Sequence, residues 1–298
     1  MKPSPVSWRR AAEEDPREGS IKARYRIPPG RAKLSGRSLV SLGAALLVIP
    51  GIFLAIHLTA GKHKTGWILT LADNFDSPSS LKQWNFSVGG NGWSLKQLQW
   101  YDKANATVDQ NGQLVITASK GGDGNSCWYG PCQYTSTRMS TLGTFSQAYG
   151  KFEARIKVPV GQGLWPAFWI EGANVFQVGW PASGEVDIIE KSGQFPYLVQ
   201  GYAHAPNFQH SGFKKLRKPL AAGYHVYGIT WTPTGVTWTV DGVAYSHMKA
   251  YPGWPFNHPF YIILDLAVGG TWPGNPSPKT HFPAKMYVDW VHVYHYVS

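Results

Sequence analysis

Charge is scarce in this chain: only 15% of its 298 residues are Asp, Glu, Lys or Arg. Cysteine is scarcer, at two residues, and no stretch shows the 3.6-residue apolar period of an amphipathic helix of useful length. Cys127 and Cys132, in CWYGPC, lack the CxxC spacing of a redox pair and have no further ligands nearby for zinc. The net charge of +11 points toward nucleic acid until its placement is considered. Residues 1–37 carry ten Lys/Arg against four acids, and Lys62 and Lys64 add two more, whereas residues 66–298 hold 16 Lys/Arg against 13 acids. The basic character is a tail and not a groove, so nucleic acid is not an expected partner. One cluster in the body, Lys214, Lys215, Arg217 and Lys218, reads as a solvated loop.

Aromatic residues are what the chain has in excess, with 14 Trp and 15 Tyr. A Trp presents a broad apolar face and one N–H, so a surplus beyond the needs of a core fits rings exposed in a groove to stack on flat ligands. Plain packing in a β-rich fold is the alternative for any single Trp.

Residues 1–38, rich in Pro, Arg, Glu and Ser and without apolar periodicity, read as a disordered basic cytoplasmic tail. Residues 39–60, LVSLGAALLVIPGIFLAIHLTA, contain no side chain ionised at neutral pH. At about 1.5 Å per residue such a helix crosses a hydrocarbon core of roughly 30 Å. Arg31, Lys33 and Arg37 precede it, which places the N-terminus in the cytoplasm and everything after Ala60 outside. The expectation is a single-pass anchor in the cell membrane, or a secreted protein if the segment is cleaved. In an exported domain the two cysteines read as a disulfide, with Gly130-Pro131 forming the turn between them.

Across 61–298 strand follows strand. GQLVITAS (112–119), YGKFEARIKV (149–158), EVDIIE (185–190), HVYGITWT (225–232), GVTWTVDGVAY (235–245), FYIILDLAV (260–268) and KMYVDWVHVYHY (285–296) are alternating or β-branched and aromatic runs between turn residues. They predict one all-β domain, an antiparallel sandwich or jelly roll.

Chemistry concentrates in Glu185-Val186-Asp187-Ile188-Ile189-Glu190. Residues i and i+2 of a strand share a face, so Glu185 and Asp187 point together, and strict alternation sends Glu190 the other way. A one-residue β-bulge after Asp187 returns Glu190 to their face, while Val186 and an Ile bury opposite. Glycosidic hydrolysis needs such carboxylates, one as nucleophile or base and one as acid, and clustering raises at least one pKa so that a proton is kept near neutrality. A solvated strand face or a metal site uses the same residues, and both remain open at this point.

GLWPAFWI (163–170) and GWPASGEVDIIE (179–190) resemble the signature of glycoside hydrolase family 16, in its laminarinase-like, endo-β-1,3-glucanase branch. The similarity continues through NGWSLKQLQWY (91–101), YTSTRM (134–139), YGKFEARIKVP (149–159), YHVYGITWTPTGVTWTVDG (224–242), ILDLAVGGTWPG (263–274) and FPAKMYVDWVHVY (282–294), covering roughly residues 68–296. It implies a curved β-sandwich with an open cleft and a retaining mechanism. Carried over, Glu185 is the nucleophile, Glu190 the general acid/base, and Asp187 tunes their protonation. Trp180 and Trp165 stack on sugars, His204 lies beside the carboxylates, Trp272 belongs to a loop at the cleft edge, and Trp169 is read as core. Asn91 and Trp93 contribute on the non-reducing side, although Trp93-Ser94-Leu95-Lys96-Gln97-Leu98 replaces the usual Trp-Gly-Asn-x-Glu-Leu. Asn74 stands where many relatives use Glu to help bind a structural calcium; Asp289 is present, so calcium there is an expectation, and no other cofactor is required. His292 replaces a common Arg. The expected partner is a β-glucan, and the expected state a monomer. Transfer instead of hydrolysis, another β-glycan such as a galactan, and a non-catalytic carbohydrate-binding jelly roll are the alternatives.

Overall fold

A computed structural model describes residues 65–298. The tail expected at 1–38 and the anchor expected at 39–60 lie outside the described residues. Among the described residues, no helix is long and apolar enough to cross a membrane.

The described chain is almost wholly β. Its strands form a ten-stranded sheet, a seven-stranded sheet and a two-stranded hairpin, and the two large sheets pack face to face. Seven strands carry the site: β1 (Asn85–Phe86), β2 (Arg138–Ser140), β3 (Leu164–Gly172), β4 (Glu185–Glu190), β5 (Leu198–Ala205), β6 (Phe208–Lys215) and β7 (Phe260–Val268). Their spatial order is β6-β5-β4-β3-β7-β2-β1, and every pairing within it is antiparallel. Alternation decides which side chains enter the core. Ile262, Leu264, Leu266 and Val268 of β7 face inward, as do Phe168 and Ile170 of β3 and Val199, Ala203 and Ala205 of β5. They meet Phe152, Ala154 and Ile156 from Gly150–Lys157 and Val288, Val291 and Val293 from Ala284–Val297 in the facing sheet.

In that facing sheet Gly66–Asp73 pairs with Ala284–Val297, so the first and last described strands close the domain on each other. The predicted run 235–245 is a hairpin of two strands, Gly235–Val240 and Val243–Lys249. Asp241 and Gly242 form its turn at φ of 51° and 74°, the left-handed conformation a two-residue hairpin loop requires. Lys214 and Lys215, read as loop, instead end the edge strand β6, where lysine discourages pairing with another chain.

Candidate active site

The open face of the seven-stranded sheet is built in three cross-strand rows. The first reads Gln209–His204–Glu185–Glu171–Tyr261 across β6, β5, β4, β3 and β7. The second reads Ser211–Tyr202–Asp187–Trp169–Ile263, and the third Glu190–Ala167–Asp265–Arg138. Directly opposed residues share a face, so each row is a line of neighbouring side chains.

The third row exists because of a bulge. Pairing of β3 with β4 shifts from Trp169↔Asp187 to Phe168↔Ile189, so Ile188 is the extra residue and Glu190 returns to the face of Glu185 and Asp187. Both Ile188 and Ile189 bury in the core beside Val186, one isoleucine more than alternation predicts. The bulge is held from behind. Trp238 Nε1, in the facing sheet, donates to the carbonyl of Asp187 at 2.9 Å. Gly201 makes room for that indole, since a Cβ there would come within 2.6 Å of Trp238 Cδ1. Beyond Glu190, the buried Lys191 ammonium donates to the carbonyls of Ser192 and Phe195 at 3.2 and 3.1 Å and fixes the loop that follows β4.

Glu185, Asp187 and Glu190 line one pocket with Trp165, Trp169, Arg138 and Asp265. Trp180 Nε1 donates to Glu185 Oε2 at 3.0 Å, and its ring, 57% exposed, is open for stacking. His204 Nε2 lies 3.8 Å from Glu185 Oε1 and 3.5 Å from Asp187 Oδ2. Burial pushes the Glu185 carboxyl up to about 8, and Asp187 adds to it, while His204 and the Trp180 N–H oppose. Burial, then Asp187, Glu185 and Asp265, raises Glu190 well above the usual carboxylate range, and only the Trp165 indole opposes. Of the two, Glu185 has the partners that favour an anion, and Glu190 keeps its proton. Burial disfavours a charged His204, but Asp187 and Glu185 outweigh it and bring the ring up to about 8.

The remaining expected residues fall as follows. Trp165 is buried, packs 5.0 Å from Trp272 and so forms a cleft wall with it; Trp272 also meets Tyr202 at 6.2 Å. Trp93 stands edge-on to Tyr101 with the Arg138 guanidinium 5.3 Å from its ring. Asn91 does not reach the pocket: its side-chain oxygen accepts from Trp93 N at 3.0 Å and shapes the loop. Ser94 and Gln97 of that loop line the pocket. Trp169 is not core. It faces the pocket, donates to Asp265 Oδ1 at 2.8 Å and lies under Arg138 at 4.7 Å, because β3 alternates Trp165, Ala167 and Trp169 outward. Cys127 and Cys132 are joined in a disulfide. Between them, Trp128 Nε1 and Tyr129 Oη donate to the carbonyls of Gln97 and Leu98, each at 2.7 Å, and so buttress the cleft loop.

Asp289 lies away from the cleft. Arg155 pairs with its Oδ2 at 2.5 Å and Gln113 Nε2 donates to Oδ1 at 3.1 Å. Arg138, Asp265, Gln97, Glu171 and Tyr202 carry no assigned role in the sequence reading. The signal available was a charged residue inside an apolar run, as Asp265 in FYIILDLAV and Glu171 in LWPAFWIEG.

Residues 94–292 match the family model of glycosyl hydrolases family 16. The chain is 36% identical to the beta-glucanase of Rhodothermus marinus, over 78% of this chain and 86% of that protein. It is also 36% identical to the clotting factor G alpha subunit of Tachypleus tridentatus over 78% of this chain, but spans only 34% of that protein. The endo-beta-1,3-glucanase from Pyrococcus furiosus superposes with a TM-score of 0.74 at 39% identity, covering 78% of this chain and 96% of that one. With the match, the sandwich and the three carboxylates in agreement, the chain belongs to family 16 of the glycosyl hydrolases.

Proposed function

We propose that this protein is an exported, membrane-anchored, monomeric endo-glycosidase that hydrolyses β-1,3-glucan, mixed β-1,3/1,4 chains included, with retention. The observation that carries the reading is the bulge at Ile188, which puts Glu185, Asp187 and Glu190 on one cleft face between aromatic walls. A protein that only bound sugar would have no use for all three. The names of the Rhodothermus and Pyrococcus relatives support a β-glucan as substrate.

Glu185, the anion, attacks the anomeric carbon, and the C–O bond to the leaving sugar breaks as Glu190 donates its proton to the glycosidic oxygen. Glu190, now a carboxylate, takes a proton from water; that oxygen attacks the same carbon and releases Glu185. Asp187, between them, holds His204 in place and keeps the second proton on the pair. Trp180 fixes the nucleophile through its N–H and offers its ring to the sugar.

The test is reducing-end release by the full-length protein from laminarin-type, mixed-linkage and galactan polysaccharides, with Glu185→Gln alongside. Turnover of the β-1,3-glucan, absent from the mutant and giving the β-anomer first, is the expected result. Galactan turnover alone would move the reading to another β-glycan. No turnover with polysaccharide binding intact in both proteins would replace catalysis with binding.

A further inference from the structure

The first row of the cleft holds a carboxyl that the mechanism above does not use. Glu171, on β3, lies directly opposite Glu185 on one side and Tyr261 on the other. It is 7% exposed, and the Tyr261 hydroxyl donates a hydrogen bond to its Oε2. Burying an acid in a sheet is costly unless it is paired, and setting two acids directly opposite each other on one face is destabilising. No basic side chain within salt-bridge distance neutralises Glu171 among the described residues. The groups facing the two acids are Tyr261 on β7, Arg138 on β2, Asp187 on β4 and His204 on β5, with Glu190 on β4 facing Glu185; His258 packs behind Gly172, and burial disfavours its charge.

We propose, on the reading of Glu185 as nucleophile, that Glu171 is a positioning residue: its carboxyl, fixed by Tyr261 directly opposite Glu185, sets the pH at which the nucleophile becomes an anion. The two acids share a strand pair in a water-poor row, so a negative charge on one opposes a charge on the other. Tyr261 favours the anion of Glu171, which sharpens that opposition. The Trp180 N–H and His204 favour charge on Glu185 from its other side, so Glu185 takes the single negative charge only when these partners outweigh Glu171. Burial raises Glu171 itself, and its neighbourhood contributes to the rise in Glu185.

The experiment is the pH profile of kcat/KM for the full-length protein and for Glu171→Gln, which keeps an acceptor for Tyr261, on a β-glucan that the wild type turns over. The acid limb reports ionisation of the nucleophile in the free enzyme. It is expected to move down by about one pH unit in Glu171→Gln, and in the same direction, by less, in Tyr261→Phe. An acid limb that stays in place while turnover falls equally at every pH overturns the proposal, because Glu171 then acts through packing alone. If Glu171→Gln loses its cooperative melt, Tyr261→Phe decides by the same criterion. A wild type inactive on every β-glycan would count against the glucanase reading and leave this one measurable. The 13C carboxyl signal of Glu185, assigned by its loss in Glu185→Gln, then supports the proposal if its midpoint falls in Glu171→Gln and overturns it if the midpoint is unchanged.

Discussion

Glu185, Glu190 and His204 each lose their proton at a higher pH in the folded site than in an unfolded chain, and of the two acids Glu185, with the Trp180 N–H and His204 beside it, loses its proton first. Burial takes Glu185 from its ordinary 4.5 to about 8, and His204, which burial alone would lower, is brought from 6.5 to about 8 chiefly by Asp187. The sign follows from proton counting. Where the folded state binds more protons than the unfolded one, stability falls as pH rises. The favourable contribution of His204 is complete below 6.5 and disappears as pH climbs through about 8. The penalty for ionising Glu185 sets in over the interval from 4.5 to about 8. Thermal melting of the substrate-free protein is therefore expected to drop by several degrees between pH 5 and 8.5. Glu185→Gln, whose amide does not titrate, should flatten that decline. A melting temperature that rises across the window would contradict the assignment of protons to this site.

The bulge in β4 and the indole behind it are the elements on which the carboxylate geometry rests. Trp238→Phe keeps most of the buried ring but leaves the Asp187 carbonyl without its donor. An unsatisfied buried acceptor costs about 1–3 kcal/mol. Because misplacing a catalytic group by about 1 Å can slow turnover about 100-fold, the variant should lose kcat far more than it raises KM. Equal changes in the two would mean that the bulge holds without the indole. From the sequence the bulge was a condition only, since three acids interleaved with Val and Ile reach one face if one residue is inserted; the strand register is what shows it. Strands at 185–190, 225–232 and 260–268 were legible to the residue, because turn residues bound their apolar runs. β3 was not among the predicted strands: Pro166 and an unbroken apolar run conceal its alternation, and Pro166 is tolerated because β4 ends opposite Ala167. β6, polar and on an edge, has no apolar face to announce it. For the same reason Trp169 read as core, and the neighbours of Glu171 were not legible at all. Register between strands distant in sequence is a tertiary quantity, and no local pattern encodes it.

At the scale of the whole domain, a set of side chains on the facing sheet reinforces the strand pairing that closes it. Arg155 pairs with Asp289, Gln113 donates to Asp289, the Tyr224 hydroxyl donates to Gln113, and the Arg155 guanidinium lies 4.5 Å from the Tyr224 ring, which closes the circuit. It ties Gly150–Lys157 and the final strand Ala284–Val297 to the turn at 109–113 and the segment before His225–Thr232. Where the resemblance points to Glu beside a calcium, Asn74 Oδ1 instead lies 2.9 Å from His292 Nε2 and joins the end of the first strand to the last. The positive charge beside Asp289 in this structure is the Arg155 guanidinium. The expected outcome is that EDTA, followed by added calcium, leaves the melting temperature of the full-length protein unchanged. Arg155→Met should lower it by about 2–4 °C, the shift that roughly 1 kcal/mol produces in a domain of this size. If EDTA instead destabilises the protein and calcium restores it, a metal closes the domain through ligands other than the Asp289 side chain. If Arg155→Met becomes calcium-dependent where the wild type is not, the arginine has been standing in the ion's place.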